Sequence, residues 1–233
     1  MKPTGKTSDR RTAIVTGASR GIGLAIARAL AGERYQLALL SRTRPPRGTS
    51  GKFIACDLGD SAGIPGAVAA ALRHLGGCDV LVNNAGVFLE KPATETSLDD
   101  WERVMRVNVT GTFLVTREVL PGMIARRRGR IINVASTASL QGYVNQSAYV
   151  ASKHAMLGLA RSLALEVKPY QIHIHNLCPG GVDTDLIKGT QLGERMKGQA
   201  MISPADMAEM VLFLLEQPGN IDMPEIIVRR FVV

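Results

Sequence analysis

The chain has 233 residues, 45% hydrophobic and 21% charged; this composition suits a globular protein with a full core, and no apolar run approaches the ~18 residues that span a bilayer. The formal charge of +8 is dispersed rather than gathered into a nucleic-acid-binding face. Cys56, Cys78 and Cys178 are few and far apart, which excludes a disulfide framework and suits reduced thiols in a cytoplasmic protein.

The start, MKPTGKTSDR, is polar and basic without the apolar stretch of a secretory signal, and residues 1–10 are expected to be a disordered lead. TAIVTG (12–17) is a β-rich run stopped by glycine. ASRGIGLAIARALAGERY follows, with Ile22, Leu24, Ile26, Ala27 and Leu30 at helical spacing. QLALLS (36–41) and FIACDL (53–58) predict strands two and three. Between them TRPPRGTSGK (43–52) holds two prolines and two glycines, which predicts an irregular crossover with no helix and a partly uncovered patch of sheet. A helix through AVAAALRHL has Pro65 near its start, where proline is tolerated. CDVLVNNAG (78–86) predicts a fourth strand running into a loop.

Ser97 and Asp100 form a capping-box-like pair that opens a long helix. Trp101, Val104, Met105, Val109, Thr112 and Phe113 are expected on one face of it, with Asn108 among them. Arg126, Arg127, Arg128 and Arg130 follow, placed to complement the helix's C-terminal dipole; docking of an acidic partner is the alternative. RIINVAS (130–136) is strand five, and Ser147 is expected to cap a helix reaching about Lys168. IHIHNLC (172–178) is strand six. His173 and His175 share a face of it, but no third ligand is evident, so no metal is expected. Pro204 starts a helix through VLFLLEQ, and EIIVRR (225–230) is strand seven. The alternation of strands and helices, with nearly continuous apolar strands, predicts an α/β fold: one doubly wound, Rossmann-type domain over 11–233, its parallel seven-stranded sheet covered by helices on both faces.

TGASRGIG (16–23) lies between strand one and helix one, where helix N–H groups and the dipole favour an anion. Gly17, Gly21 and Gly23 allow a tight turn and the close approach of a phosphate. The spacing is G-x-x-x-G-x-G. An NAD site usually offers Asp or Glu at the end of strand two to bind the ribose 2′-hydroxyl. Here Ser41 and Arg42 stand there, and Arg20 lies inside the glycine loop. Two guanidiniums and no carboxylate suit a 2′-phosphate, hence NADP(H).

NNAG (83–86), Asn108 in VNVTG, Ser136 thirteen residues before Tyr149, YVASK (149–153) and PGGVDT (179–184) complete an ordered set. With TGASRGIG they make the chain resemble the short-chain dehydrogenase/reductase family from Thr12 to about Val228. The resemblance implies NADPH-dependent reduction of a ketone or aldehyde. Tyr149 is then the general acid, with a free pKa of ~10 that needs lowering. Lys153, one turn on, supplies the ammonium charge that favours tyrosinate and binds the nicotinamide ribose. Ser136 stabilises the substrate oxygen, and Asn108 relays to the lysine through water. For the cofactor it implies Gly17, Ser19, Arg20, Gly21, Ile22 and Gly23 at the phosphates, Ser41 and Arg42 at the 2′ position, and Asp57 and Leu58 at adenine. Asn83, Asn84, Ala85 and Gly86 are implied to line the groove, with Pro179, Gly180, Val182 and Thr184 near the carboxamide and Tyr149 and Lys153 at the nicotinamide end. Gly142, Tyr143 and Gln146 are the candidate substrate contacts besides Ser136 and Tyr149.

Three stretches bear on the substrate. Residues 185–203, with glycines at 189, 193 and 198, correspond to the family's substrate lid and are expected to be mobile. The closing PEIIVRRFVV lacks the glycine-rich segment of many acyl-carrier and steroid members. Cys178 is expected to be a small buried filler. The family's habit implies a homodimer or homotetramer acting on a small carbonyl or alcohol, without nucleic acid or membrane. The alternatives are a 3-oxoacyl-[acyl-carrier-protein] reductase, and an NADP-binding sensor without turnover.

Overall fold

The computed structural model describes residues 10–231; all of the expected N-terminal lead but Arg10 lies outside them. The strands are β1 (Thr12–Thr16), β2 (Gln36–Ser41), β3 (Lys52–Ala55), β4 (Val80–Asn83), β5 (Gly129–Val134), β6 (Ile172–Pro179) and β7 (Glu225–Val228). They form the expected seven-stranded sheet, in the order β3-β2-β1-β4-β5-β6-β7, and every pair in it is parallel. The helices are α1 (Gly21–Gly32), α2 (Ile64–Leu75), α3 (Leu98–Met105), α4 (Thr112–Arg126), α5 (Ser147–Val167), α6 (Gln191–Met196) and α7 (Pro204–Glu216).

Side chains alternate across a strand, so one apolar run feeds two cores. Ala13 and Val15 of β1 pack with Ile26 and Leu30 of α1 and with Val211 and Leu214 of α7. Ile14 points the other way, into a layer built from Val68 of α2, Val115 of α4 and Ala160 of α5. This two-sided cover is why the strands read as continuous apolar runs rather than as an alternation.

Several local expectations change. β3 ends at Ala55 and β7 at Val228, leaving Asp57, Leu58, Arg229 and Arg230 on loops above the sheet. The 43–52 crossover has no helix, as its prolines and glycines require. The bare patch is nevertheless confined to β3. Gly51, at φ +124°, lays its backbone so close to β2 that an added Cβ would stand 2.9 Å from Leu37 Cβ. Leu37 and Leu39 are thereby buried. Ser97 and Asp100 do form a reciprocal capping box. Between α3 and α4 the helix widens into a π turn, Arg106–Gly111. The buried stripe then runs Val104, Asn108, Thr112, Val115, while Trp101 and Phe113 are exposed; the predicted face was too broad. Ser147 is the first residue of α5, not its cap; the cap position is Gln146, with no capping side-chain bond.

The arginine cluster is built into the fold. Arg126 donates to Cys78 O at 2.8 Å and Arg127 to Pro169 O at 2.8 Å. Arg128 pairs with Asp79 at 2.9 Å. Arg130 reaches the last carbonyls of α7, Leu214 O at 2.6 Å and Gln217 O. The cations therefore tie segments together at the N-terminal end of β5 rather than neutralise their own helix.

A row of amides crosses the middle of the sheet. Asn83, Asn133 and Asn176 share one register. Asn83 donates to Asn133 at 3.0 Å and to Thr116 at 3.0 Å, Asn133 donates to Asn176 at 2.9 Å, and Asn176 donates to Pro224 O at 3.0 Å. Asn133→Ala removes the central rung and takes one partner each from the buried Asn83 N–H and Asn176 carbonyl. It should cost about 2–3 kcal/mol, measured as a lower urea midpoint at unchanged slope; a shift under ~0.5 kcal/mol, the scale of an ordinary surface substitution, would mean the row carries no stability.

Candidate active site

β1 and β4 are neighbours, but the chain leaves β1 toward β2 and leaves β4 toward β5. Their following loops diverge and open a crevice at the strands' C-terminal ends, where open parallel sheets bind ligands. A cleft of about 790 Å³ lies there.

Gly17 and Gly21 have φ of +66° and +55°, a conformation that favours glycine. Gly17 also touches the opposite wall, since a Cβ there would stand 2.8 Å from Ala85 Cα. Ser19, Arg20 and Ile22 line the cleft with them. Arg20 occupies the cap position of α1 without a capping bond, and no acid stands in the first turn. The first N–H groups of α1 are thus left for an anion. Gly23 does not line the cleft. A Cβ on it would collide with Gly17 O and Asn84 Nδ2, so its smallness serves close packing of helix on strand.

At one end of the cleft stand Ser41, Arg42, Asp57 and Leu58. Ser41 is buried and donates to Thr43 O at 2.8 Å. Arg42, like Arg20, is exposed. Asp57 accepts from Gly59 N at 2.8 Å, which orders the loop after β3. Cys56 also reaches this rim, its thiol pushed up to about 11 by burial.

At the other end Asn84, Ala85 and Gly86 follow β4, Ser136 follows β5, and Tyr149 and Lys153 rise from the first turns of α5. Asn84 holds the cleft's two walls together, donating to Thr16 O at 3.0 Å and Gly17 O at 3.2 Å. Asn83 does not line the groove, because its side chain belongs to the buried amide row. Tyr149 and Lys153 are 7% and 5% exposed. Lys153 Nζ donates to Val134 O at 3.1 Å and lies 5.8 Å from the centre of the Tyr149 ring. Phe88 meets that ring edge-on at 4.9 Å.

The electrostatics of the pair differ from expectation. Burial pushes the Tyr149 phenol up to about 12, against a lowering pull from the Ser136 hydroxyl. Burial likewise brings the Lys153 ammonium down to about 8. Desolvation is the largest influence on both, and it favours the neutral form of each. Asn108 is buried but faces protein: it accepts from Val87 N at 2.8 Å and donates to Val87 O and Ser152 Oγ, both at 3.0 Å. Every polar atom of its amide is engaged, which orients the loop after β4 and α5 about the cleft.

Tyr143 and Gln146 line the cleft, whereas Gly142 lies outside it; Gln141 takes that place. Gln141 donates to Tyr143 Oη at 2.8 Å, which donates to Thr137 Oγ1 at 2.8 Å. Pro179, Gly180, Val182 and Thr184 form the floor beside β6, and Thr184 Cγ2 would stand 3.3 Å from a Cβ on Gly21. The lid segment contains α6, which is fastened down. The Glu90 carboxylate, 3% exposed, accepts from Leu192 N at 2.7 Å and pairs with Arg195 at 2.7 Å. Phe88, Leu192, Met196, Arg229 and Arg230 line the same cleft and had no motif to mark them. Cys178 is fully buried, as expected of a filler. His175 bonds Met223 O at 2.8 Å and its ring stacks on His173; among the described residues no group of three or more metal-ligating side chains gathers, and no helix is long and apolar enough to cross a membrane.

The family model described as short chain dehydrogenase matches residues 11–195. A Streptomyces violaceoruber protein named as a ketoacyl reductase of the granaticin polyketide synthase is 41% identical over 192 residues, covering 77% of this chain and 71% of its own. The 3-oxoacyl-[acyl-carrier-protein] reductase FabG of Aquifex aeolicus is 34% identical over 235 residues, covering 93% and 94%. A metagenomic short-chain oxidoreductase solved with NADP superposes with a TM-score of 0.81 at 32% identity, over 96% of this chain and 98% of that one.

The lowered Lys153 pKa has a stability consequence. Between pH 8 and 10.5 the unfolded state keeps the lysine proton that the folded state has released. Stability from this group therefore rises with pH across that window. Unfolding of the parent and of Lys153→Met at pH 7.5 and 9.5 isolates it from the buried cysteines. The parent should gain relative to the variant at the higher pH; an equal change in both would place a solvated, unshifted amine at this position.

Proposed function

The chain belongs to the short-chain dehydrogenase family, and on that premise we propose that it reduces a ketone or aldehyde to an alcohol with NADPH. The observation that carries this reading is the convergence of Ser136, Tyr149 and Lys153 at one end of a single cleft whose other end is a glycine-lined anion cradle. The cradle fits a dinucleotide: Gly17 and Gly21 hold its turn at positive φ, and the first N–H groups of α1 have no capping side chain. Arg20 and Arg42, with no carboxylate at the end of β2, suit the 2′-phosphate of NADP(H). When bound, the nicotinamide supplies a hydride to the carbonyl carbon.

The protein's residues handle the oxygen. Ser136 donates a hydrogen bond to the carbonyl oxygen as negative charge develops there. Tyr149 gives its proton to that oxygen, so the hydride and the proton together convert C=O into CH–OH. Lys153 lies beside the phenol and balances the tyrosinate left behind. Asn108 acts by positioning, since its amide holds Val87 and Ser152 rather than the cleft contents. The reverse oxidation uses tyrosinate as base. In the proposed cytoplasmic setting the three free, buried cysteines remain reduced, and the active unit is a homodimer or homotetramer.

A second reading, reduction of a 3-oxoacyl thioester, is favoured by relatives named as ketoacyl reductases. The Arg126–Arg130 cluster gives it no support as a carrier dock. It stands at the N-terminal end of β5, whose six residues put it about 20 Å from the Ser136 end. NADPH consumption across small ketones, aldehydes, diketones, quinones and 3-oxoacyl thioesters separates the readings, and NADPH binding with no consumption would instead indicate a sensor.

Tyr149→Phe should lower turnover roughly 10²–10⁴-fold while NADPH still binds; activity within threefold of the parent would remove Tyr149 from the mechanism. Ser41→Asp with Arg42→Ala should move preference from NADPH toward NADH, read from the ratio of kcat/KM values, and an unchanged ratio would dismiss both side chains as 2′-phosphate contacts.

A further inference from the structure

The cleft runs along the sheet from β2 to β7, and arginines stand at both of its ends. The positive charge near β2 belongs to the dinucleotide. A second pair of cations, Arg229 and Arg230, lies past the end of β7. They stand on the far side of β5 and β6 from the glycine loop, beyond the reach of the proposed 2′-phosphate.

The two arginines do different things. Arg230 is committed to the lid: its Nη1 donates to Gln199 Oε1 at 2.7 Å, and its Nε would lie 3.4 Å from a Cβ on Gly181. Arg229 makes no hydrogen bond or ion pair with any described residue, and its backbone lies beside the Gly180 turn, where Gly180 N donates to Val228 O at 2.8 Å. Ile226 and Val228 pack toward the α1 and α7 layer. The intervening side takes Glu225, which pairs with Arg161 of α5 at 2.7 Å. Arg229 follows the last residue of the strand, is exposed and lines the cleft.

Three acids of the adjoining segments have partners of their own. Glu90 is held by Arg195 and Leu192 N, Asp185 by Lys188, and Glu225 by Arg161. A guanidinium without a counter-ion among the described residues thus borders a cleft whose lining there mixes Phe88, Leu192 and Met196 with Gln141, Tyr143 and Asp185. The end of β7 stands two strand spacings, about 10 Å, from the end of β5 that carries Ser136. An arginine side chain can span more than half of that gap, which leaves the few bonds that separate a carbonyl from a nearby carboxylate.

We propose that Arg229 is a specificity residue that binds a carboxylate on the substrate, so that the protein acts on short oxo acids with the ketone two or three carbons from the acid group. This rests on the carbonyl reduction proposed above and names its substrate class.

The test compares acetoacetate with its neutral methyl ester and with the N-acetylcysteamine thioester of the same acid. Each is measured with NADPH for the parent, Arg229→Ala and Arg229→Lys. Loss of one charge-assisted contact should lower kcat/KM for acetoacetate by about 10- to 100-fold in Arg229→Ala. The two neutral substrates should change less than about threefold, and Arg229→Lys should recover part of the loss. A parallel loss for all three substrates, no loss for any, or a parent that prefers the neutral esters overturns the proposal. Calorimetric binding of acetoacetate to the NADP⁺ complex separates the two levels. Binding that depends on Arg229 without turnover keeps the carboxylate site and removes the reductase reading. Turnover of the neutral esters that is insensitive to Arg229, with acetoacetate no better, does the reverse.

Discussion

Thr16 is the last residue of β1, and its hydroxyl oxygen accepts from the backbone N–H groups of Asn84 and Ala85 at 3.0 and 3.1 Å. Its own proton goes to Val82 O at 3.3 Å. Asn84 returns its amide to Thr16 O and Gly17 O. These bonds clamp the ends of β1 and β4 at the one place where the sheet's connections diverge. The width of the crevice, the aim of α1 and the approach of Gly17 to Ala85 all follow from that clamp. A larger side chain at Gly17 or Gly23 would meet it directly, which explains two of the three glycines through packing as well as ligand approach.

From the clamp, chemistry is laid out along the strand order. Backbone N–H groups and exposed guanidiniums gather over β1 and β2, buried titratable groups over β4 to β6, and past β7 a guanidinium that no described residue pairs. Burial is the dominant electrostatic influence in the middle zone. It favours the neutral form of each group, the phenol of Tyr149 with its proton and the amine of Lys153 without one. The Ser136 hydroxyl is the group that pulls the Tyr149 phenol back toward acidity.

Much of this was legible in the sequence because the signals are local. Strand runs, the capping box at Ser97, the helix-free crossover and the glycine spacing depend on neighbours within a few residues. The TGASRGIG, NNAG and YVASK stretches marked the cleft before any coordinates did. What was missed depends on packing between distant segments. Gly23 and Asn83 belong to recognisable motifs, yet their side-chain positions face helix and sheet rather than cleft. Gly142 was one residue from Gln141, on a loop without periodicity. The π turn shifted the buried stripe around Asn108. Arg229 and Arg230 were read as strand, which hid their place at the rim, and the Glu90–Arg195 tie joins residues more than a hundred positions apart.

The central claim is that one cleft holds a 2′-phosphorylated dinucleotide with its reactive end against Tyr149. A crystal structure of the chain with NADP⁺ tests it most directly. The account predicts the pyrophosphate on the first turn of α1, the 2′-phosphate between Arg20 and Arg42, and the nicotinamide between Pro179–Gly180 and the Tyr149 hydroxyl. A nicotinamide ring directed away from Tyr149, or a 2′-phosphate that touches neither arginine, would contradict it.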